Sequence, residues 1–176
     1  MTDTQWPRYE VFMMEAPDDS PRYVGSVHAP DAEMALLNAR DVFARRPSCA
    51  GLWVAPSKQV VFRTAAEGFD GEQIAAPTGE EDLPYLVFRK RSHKGPLELS
   101  DRFLAAGPAD ALRFAESLHQ DEPTVMWAVA PENAFVRSSA EERPSFFEPA
   151  LSKTYKTHSE YKTEAQMLHI RRAKGH

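Results

Sequence analysis

One short motif is the clearest candidate for metal chemistry in this chain. Glu116-Ser117-Leu118-His119 would present a carboxylate and an imidazole on one helical turn, as in carboxylate-bridged di-iron sites. Such sites need two of these motifs and two further glutamates on four long facing helices, whereas this chain offers two convincing short helices. The six histidines are widely spaced, without a pair at zinc-finger spacing. We therefore expect no metal to be bound by this chain.

A serine and a histidine two residues apart are the best candidates for nucleophilic catalysis. Ser26 and His28 would share one face of a strand and could act as nucleophile and base. Nothing nearby specifies an acid to orient the histidine or an oxyanion-binding arrangement. A small enzyme using this pair is one hypothesis, and it predicts turnover that His28→Ala abolishes. A hydrogen-bonded structural histidine is the simpler interpretation.

Composition narrows the class of protein further. The formal net charge is -5 and the sequence pI is about 5.7, which argues against a general nucleic-acid binder. No apolar run reaches transmembrane length, and no phosphate loop or dinucleotide fingerprint is present. The single cysteine, Cys49, excludes an internal disulfide. We expect a cytoplasmic protein that binds neither nucleic acid, membrane nor cofactor by itself.

The elements that would hold these residues repeat along the chain. Similar segments recur at a period of about 75 residues, which indicates two copies of one module. The recurrences are 9–12 with 85–88, 35–36 with 111–112, 53–56 with 127–131, and 62–64 with 136–138. This alignment places Trp53 and Trp127 in equivalent positions, where both are expected to be core or interface anchors.

The first copy reads as two strands, a helix and two more short strands. Alternating segments at 9–13 and 23–28 predict an antiparallel hairpin, and 52–54 and 60–62 predict the later strands. Asp31 is placed to cap a helix whose apolar stripe contains Leu36, Ala39 and Phe43.

The second copy repeats that order of elements. Strands are predicted at 85–89, 97–104 and 125–129, with a helix that opens at Gly107-Pro108. The helical stripe is Leu112, Ala115 and Leu118.

The predicted fold is α+β, with two ββαβ(β) modules. Each module would have a small antiparallel sheet with one helix on one face, and the other face would need a partner. A pseudo-two-fold arrangement, like a fused homodimer, is the expected solution.

Composition suggests four segments. We predict a first module at 1–66, an acidic linker at 67–83, a second module at 84–140, and an aromatic, proline-containing extension with a basic tail at 141–176. Prolines in the extension predict that it forms no regular helix. Its aromatic residues must be buried, either on this chain or on another subunit.

Several blocks together resemble the small B subunit family of the phenylacetyl-coenzyme A oxygenase, or 1,2-epoxidase, of phenylacetate degradation. Those blocks begin at Trp6, Tyr23, Met34, Asn38 and Trp53, and a further set follows the second copy. They are Trp6-Pro7-Arg8-Tyr9-Glu10-Val11-Phe12, Tyr23-Val24-Gly25-Ser26-Val27-His28-Ala29, Met34-Ala35-Leu36, Asn38-Ala39-Arg40-Asp41, Arg45-Arg46, Trp53-Val54, Glu141-Glu142-Arg143, Phe146-Phe147-Glu148-Pro149 and Ser152-Lys153-Thr154-Tyr155. The second copy lacks the equivalents of the blocks at 23–29 and 38–41.

The resemblance implies a non-catalytic, bridging subunit of a multicomponent monooxygenase. Its partners would be a catalytic di-iron oxygenase subunit, a helical companion subunit and the reductase, and a homo-oligomer stays open. The di-iron centre, FAD, iron-sulfur cluster and NADPH would belong to those partners. Interface residues expected on this basis are Trp6, Pro7, Tyr9, His28, Arg40, Asp41, Phe146, Phe147 and Tyr155.

A different class of function also fits the repeat. A tandem regulatory module would bind a small molecule in an apolar pocket between the two sheets, and it would be stable without partners.

Overall fold

The computed structural model describes residues 6–44, 49–64, 82–139, 141 and 143–151. Its strands and helices are β1 (Arg8–Met14), β2 (Arg22–His28), α1 (Ala32–Phe43), β3 (Gly51–Pro56), β4 (Val61–Thr64), β5 (Leu83–Lys90), β6 (Leu97–Ala105), α2 (Pro108–Leu118), β7 (Met126–Pro131), β8 (Val136–Arg137) and α3 (Arg143–Leu151). Single turns of 3-10 helix at Ser57–Gln59 and Glu132–Ala134 follow β3 and β7. Within the described ranges, no helix is long and apolar enough to cross a membrane.

All eight strands belong to one antiparallel sheet. Their order is β4-β7-β5-β6-β2-β1-β3-β8, which confirms the α+β class. The prediction of a separate small sheet in each module is corrected, because β2 and β6 join at Arg22 and Glu98. The amide of Leu99 donates to the carbonyl of Pro21 at 2.8 Å beside this junction.

The last strand of each sequence copy pairs with the other copy. β4 lies against β7, and β8 lies against β3. We call β2-β1-β3-β8 the first sheet half and β4-β7-β5-β6 the second sheet half. The order of strands reads the same from either edge when β1 to β4 are matched with β5 to β8. Each sheet half therefore contains three strands from one sequence copy and the last strand of the other copy.

Alternation along the strands divides the apolar side chains between outer and inner cores. Tyr9 and Val11 pack outward under α1, and Tyr85 and Val87 pack outward in the cluster that contains the buried face of α2. Phe12 points inward, where the ring centroids of Phe12 and Phe88 are 4.3 Å apart. The two sheet halves therefore cover each other with an aromatic inner core.

The helices begin where the sequence predicts. The carboxylate of Asp31 accepts from the amide of Met34 at 2.8 Å and caps α1, while Pro108 opens α2 after Gly107. The buried stripes of the two helices are Ala35, Leu36 and Ala39, and Ala111, Leu112 and Ala115. The prediction that Leu118 belongs to the stripe is wrong, because this side chain is 61% exposed at the end of α2.

The two tryptophans are not equivalent, which corrects the sequence alignment. Val54 lies opposite Val11, and Val129 lies opposite Val87. Trp53 is one residue before Val54, whereas Trp127 is two residues before Val129. Because neighbouring strand residues face opposite ways, Trp53 packs on the inner core and Trp127 belongs to the outer core with α2.

The C-terminal extension forms a helix, contrary to the prediction from its prolines. Pro144 lies in the first turn of α3, where a missing amide proton leaves no helical hydrogen bond unmade. Phe147 is buried in the outer core under α1, and the half-buried Phe146 meets it edge-on with ring centroids 4.9 Å apart. The extension therefore packs its paired phenylalanines on this chain.

Candidate functional site

The most unusual polar residue of the first sheet half is Glu10, in the middle of β1. Its neighbours Tyr9 and Val11 point to the outer core, so Glu10 points inward with Phe12. It is fully buried, with an exposure of 0%. A buried carboxylate is costly unless it is paired and hydrogen-bonded, so its surroundings decide its role.

Three side chains occupy both oxygens of this carboxylate. The hydroxyl of Ser57 donates to Oε1 at 2.5 Å, and the hydroxyl of Tyr23 donates to Oε2 at 2.8 Å. The guanidinium of Arg8 forms an ion pair with Oε1, with Nε at 3.0 Å. We call Arg8, Glu10, Tyr23 and Ser57 the Glu10 cluster. It ties β1 to β2 and to the turn that follows β3.

The protonation of Tyr23 follows from this environment. Burial, helped by the hydrogen bond to the Glu10 carboxylate, raises the pKa of Tyr23 to about 12. The phenol therefore stays a hydrogen-bond donor at neutral pH, and Glu10 keeps its acceptors filled. The hydrogen-bonded carboxylate therefore ties β1 to β2 and to the turn after β3.

The Glu10 cluster has no counterpart among the described residues of the second sheet half. The corresponding positions of the second sheet half, read from the strand pairings, are Pro84, Leu86, Leu99 and Glu132. Sequence reasoning missed Glu10, although a signal was present: the repeated pattern Tyr-x-Val-Phe has glutamate in one copy and leucine in the other.

Three of the expected interface residues meet at the start of β1. Trp6 is 60% exposed, and Pro7 and His28 are exposed beside it. Arg8 pairs with His28 across the hairpin, and the amide of Ala29 donates to the carbonyl of Pro7 at 3.1 Å. We call Trp6, Pro7, Arg8 and His28 the N-terminal corner. Because Arg8 also belongs to the Glu10 cluster, this corner is connected to the interior of the sheet.

A second group of expected interface residues lies where α1 meets α3. The guanidinium of Arg40 lies 5.3 Å from the ring centroid of Phe146, and its NH1 donates to the carbonyl of that residue at 3.3 Å. Arg40 Nε is 3.2 Å from Asp41 Oδ1. Arg40 thus fastens α3 to α1, and the exposed Asp41 lies beside it.

Of the remaining expected interface residues, two are buried in the core and one lies outside the described residues. Tyr9 is buried in the outer core under α1, and Phe147 is buried there as well. Tyr155 lies outside the described residues. The expected set therefore divides into the N-terminal corner, the α1–α3 contact and two core residues, and these predictions of partner contact stay predictions.

The two sequence candidates for chemistry are not assembled into sites. Among the described residues, no hydrogen bond joins Ser26 to His28. The backbone carbonyl of His28 accepts from the side-chain amide of Asn38, with Nδ2 at 3.0 Å. In the described ranges, no three His, Cys, Asp or Glu side chains are arranged so that they could hold a metal ion. Burial raises the pKa of Glu116, and its motif partner His119 binds other carboxylates.

That histidine belongs to a polar network on the outer side of the second sheet half. His119 Nε2 is 2.8 Å from Asp101 Oδ2, and its Nδ1 is 3.4 Å from Glu122 Oε1. Glu122 also accepts from NH2 of Arg89 at 2.6 Å. Arg89 is only 1% exposed, and the described residues provide no hydrogen-bond partner for its Nε and NH1. We call Arg89, Asp101, His119 and Glu122 the Arg89 network.

The packing of the inner core can be compared with the hypothesis of a regulatory module that binds a small molecule between the two sheets. The ring of Phe135 lies 5.4 Å from that of Phe12 and 5.9 Å from that of Phe88, between centroids. Tyr23 and Phe62 make a further edge-on pair at 5.4 Å. Aromatic side chains therefore fill the region between the sheet halves in which that hypothesis places a small-molecule pocket.

Comparison with known proteins places the first part of the chain in context. Residues 5–76 match the family described as Phenylacetic acid degradation B. A stretch of 61 residues is 44% identical to the protein named as the B subunit of 1,2-phenylacetyl-CoA epoxidase from Escherichia coli (strain K12). This stretch is 35% of the present chain and spans 64% of the relative's length.

Proposed function

We propose that the protein is a non-catalytic subunit of a multicomponent phenylacetyl-coenzyme A epoxidase, because residues 5–76 match the Phenylacetic acid degradation B family. The family match is the observation that carries this proposal, and the relative's own name is that of an epoxidase subunit. The engaged state of Glu10 supports it, since the most deeply buried acid of the first sheet half is used to hold strands together.

We further propose that the two copies arose by duplication of one module and are related by a pseudo-two-fold axis. The symmetric strand order and the reciprocal exchange of β4 and β8 support this relation. The inner face of a single module is rich in aromatic residues, and it would be exposed without a second module. The second copy supplies that cover within the same polypeptide.

The partners that we propose are a di-iron oxygenase subunit, its helical companion and the reductase that delivers electrons. Metal, flavin, iron-sulfur and nicotinamide chemistry would be supplied by those polypeptides, and this chain would organise them. Its contribution would come through surface residues such as Trp6 and His28, since aromatic side chains are enriched among the residues that carry binding energy at interfaces.

Co-expression is the direct test. The full chain would be produced with the oxygenase, companion and reductase subunits from the same source and analysed by size-exclusion chromatography. We expect the chain to co-elute with the oxygenase and companion subunits. Separate elution of all components at micromolar concentration would refute the scaffold role.

Activity measurements separate a scaffold from a catalyst. The purified chain alone should not consume phenylacetyl-coenzyme A with NADPH, whereas adding it to the other subunits should raise their epoxidation rate. The variants His28→Ala and Glu10→Gln should leave the chain equally inactive when alone. Turnover by the isolated chain that is lost in His28→Ala would favour the small-enzyme hypothesis instead.

A further inference from the structure

We infer that this chain docks its partner subunit through the first sheet half alone, so that one chain holds one partner assembly. The inference rests on the proposed function and adds to it the number and place of the docking surface. It follows from a comparison of each surface residue of the first sheet half with its counterpart in the second.

The N-terminal corner has no chemical equivalent in the second sheet half. Arg8 pairs with His28 in β1 and β2, and the counterpart pair in β5 and β6 is Pro84 with Leu104. The residue two positions before Pro84 is Asp82, where the first sheet half has the exposed Trp6. An indole, a guanidinium and an imidazole are thus replaced by a carboxylate and two apolar side chains.

The helix that faces outward differs in the same way. Arg40 follows the buried Ala39 on α1, and Glu116 follows the buried Ala115 on α2, so the sign of the charge is reversed. Arg40 also holds α3, and in the described part of the chain α3 packs on α1. Glu116 cannot hold a helix in this way, so a partner that fits the α1–α3 surface would find no equivalent of it on α2.

The second sheet half instead has an apolar patch at the corresponding place. Leu104 is 62% exposed and Phe114 is 49% exposed, where the first sheet half has His28 and Asn38. The N-terminal corner is also exposed, but its side chains include the indole of Trp6 and the guanidinium of Arg8. A partner surface that is complementary to the N-terminal corner cannot also be complementary to the apolar patch, because the two places require different contacts.

The occupant of the first-half surface is a different polypeptide and not a second copy of this chain. The inner face, through which two modules would associate, is already covered by the chain's own second copy, with Phe12 stacked on Phe88. Trp6 is the most exposed large apolar side chain of the first sheet half, and α1 adds the exposed Met34, Leu37 and Val42. Together with the half-exposed guanidinium of Arg8, this surface fits a partner protein that has apolar pockets beside acidic groups.

The number of docking surfaces can be counted directly. Native mass spectrometry of the co-expressed complex should give one copy of the oxygenase–companion assembly for each copy of this chain, even with those partners in excess. Two assemblies on one chain would overturn the inference and leave the proposed function intact. If no assembly binds, the proposed function itself fails.

Matched variants locate the surface. Trp6→Ala should weaken binding of the partner assembly at least about tenfold, and His28→Ala should weaken it to a smaller extent. The counterpart variants Asp82→Ala and Leu104→Ala should each stay within about twofold of the unmodified chain. Binding would be measured by interferometry on immobilised full-length chain, with circular dichroism to check folding. A larger effect of the second-half variants would overturn the inference.

Discussion

The outer ends of the two sheet halves have the same strand pairing and different side-chain chemistry. In the first sheet half, Phe43 closes over Gly25, and in the second sheet half His119 takes the place of that ring and binds Asp101. The equivalent positions that have different residues in the two halves are Met13 and Arg89, Gly25 and Asp101, Phe43 and His119, and Leu52 and Trp127. An apolar cluster in one half has become an ion network in the other.

This difference shows which parts of the module determine the fold. Both hairpins keep the same bulge, between Val11 and Phe12 and between Val87 and Phe88. Gly25 has a φ of +138° at this bulge, and a Cβ there would be 3.0 Å from the ring of Phe43. Asp101, the counterpart of Gly25, does not have a positive φ, and its carboxylate contacts His119 instead of a phenyl ring. Strand register is kept while the residues above it change together.

The inner core should respond equally in both halves, and substitutions there should have the largest effect. Phe12→Ala and Phe88→Ala should each lower the free energy of unfolding by about 3–5 kcal/mol, because each removes a buried ring from the same stack. Urea denaturation would measure both. Phe114→Ala, on the exposed face of α2, is the control and should change stability by less than about 0.5 kcal/mol. Strongly unequal losses of unfolding free energy in the two variants would show that the two halves of the inner core are not equivalent.

Exchanging the residues at the Glu10 position should affect the halves unequally. Leu86→Glu should cost about 3 kcal/mol or more, because the counterpart positions offer Leu99 and the acidic Glu132 and supply no donors. Glu10→Leu should cost about 1–2 kcal/mol, since it leaves the hydroxyls of Tyr23 and Ser57 without their acceptor. The measurement is again equilibrium unfolding. Equal costs would show that the Glu10 cluster is not a property of one half.

At alkaline pH, Tyr23 of the first sheet half should contribute more to the loss of stability than Tyr85 of the second sheet half, whose pKa burial also raises. The folded-state pKa of Tyr23 is raised to about 12 by burial and then by its bond to Glu10, against an ordinary value of 10.0. The unfolded chain loses this proton first, so the stabilisation is present below pH 10 and is lost as the pH rises through about 12. Tyr23→Phe should flatten this alkaline decline. A decline of unchanged slope in the variant would contradict the assignment.

In acid the second sheet half should govern stability, by a smaller amount. Hydrogen bonds from Arg89 and then His119 lower the pKa of Glu122 below its ordinary 4.5, and this carboxylate is solvent-exposed. The stabilisation is therefore present above pH 4.5 and is lost as the pH falls through the lowered folded-state value. Unfolding followed between pH 6 and pH 3 should have a shallower slope in Glu122→Gln. An unchanged slope in Glu122→Gln would contradict this role of the carboxylate.

Converting the buried arginine to its first-half counterpart should have the smallest effect. Arg89→Met removes an ion pair with the exposed Glu122, but it also removes two buried nitrogens that have no partner among the described residues. Replacement of such a group by an apolar side chain of similar size is often neutral, so we expect a change within about 1 kcal/mol. Thermal unfolding would reveal it. A loss above about 3 kcal/mol would mean that the guanidinium is fully satisfied in solution.

The sequence was sufficient for the local elements and insufficient for their pairing. Alternation predicted the strands, and the Asp31 cap and the Gly107-Pro108 start predicted α1 and α2, because these signals depend on neighbouring residues. Helix α3 was missed, because its prolines are typical helix breakers. The exchange of β4 and β8 depends on which distant strand edge is open, and no local pattern records that. Aligning the two tryptophans by residue type failed for a related reason: a single deletion moves a strand residue to the opposite face.

The residues of the candidate site also differ in how far they can be predicted from the sequence. The N-terminal corner could be expected from its residue types, since Trp6 and His28 are large or charged groups at the start and end of paired strands. The Glu10 cluster could not, because its members come from three separate elements that meet only after folding. The Arg89 network likewise requires the loop after α2 to return over β5.

The reciprocal placement of β4 and β8 also orders events during synthesis. β8 completes the sheet that β1 to β3 begin, yet it is translated after α2 and β7. The edge of β3 therefore has no partner strand until nearly the whole described chain has been made. Its pairing with β8 is a late step, and an unpaired strand edge is open to association with other chains until that step.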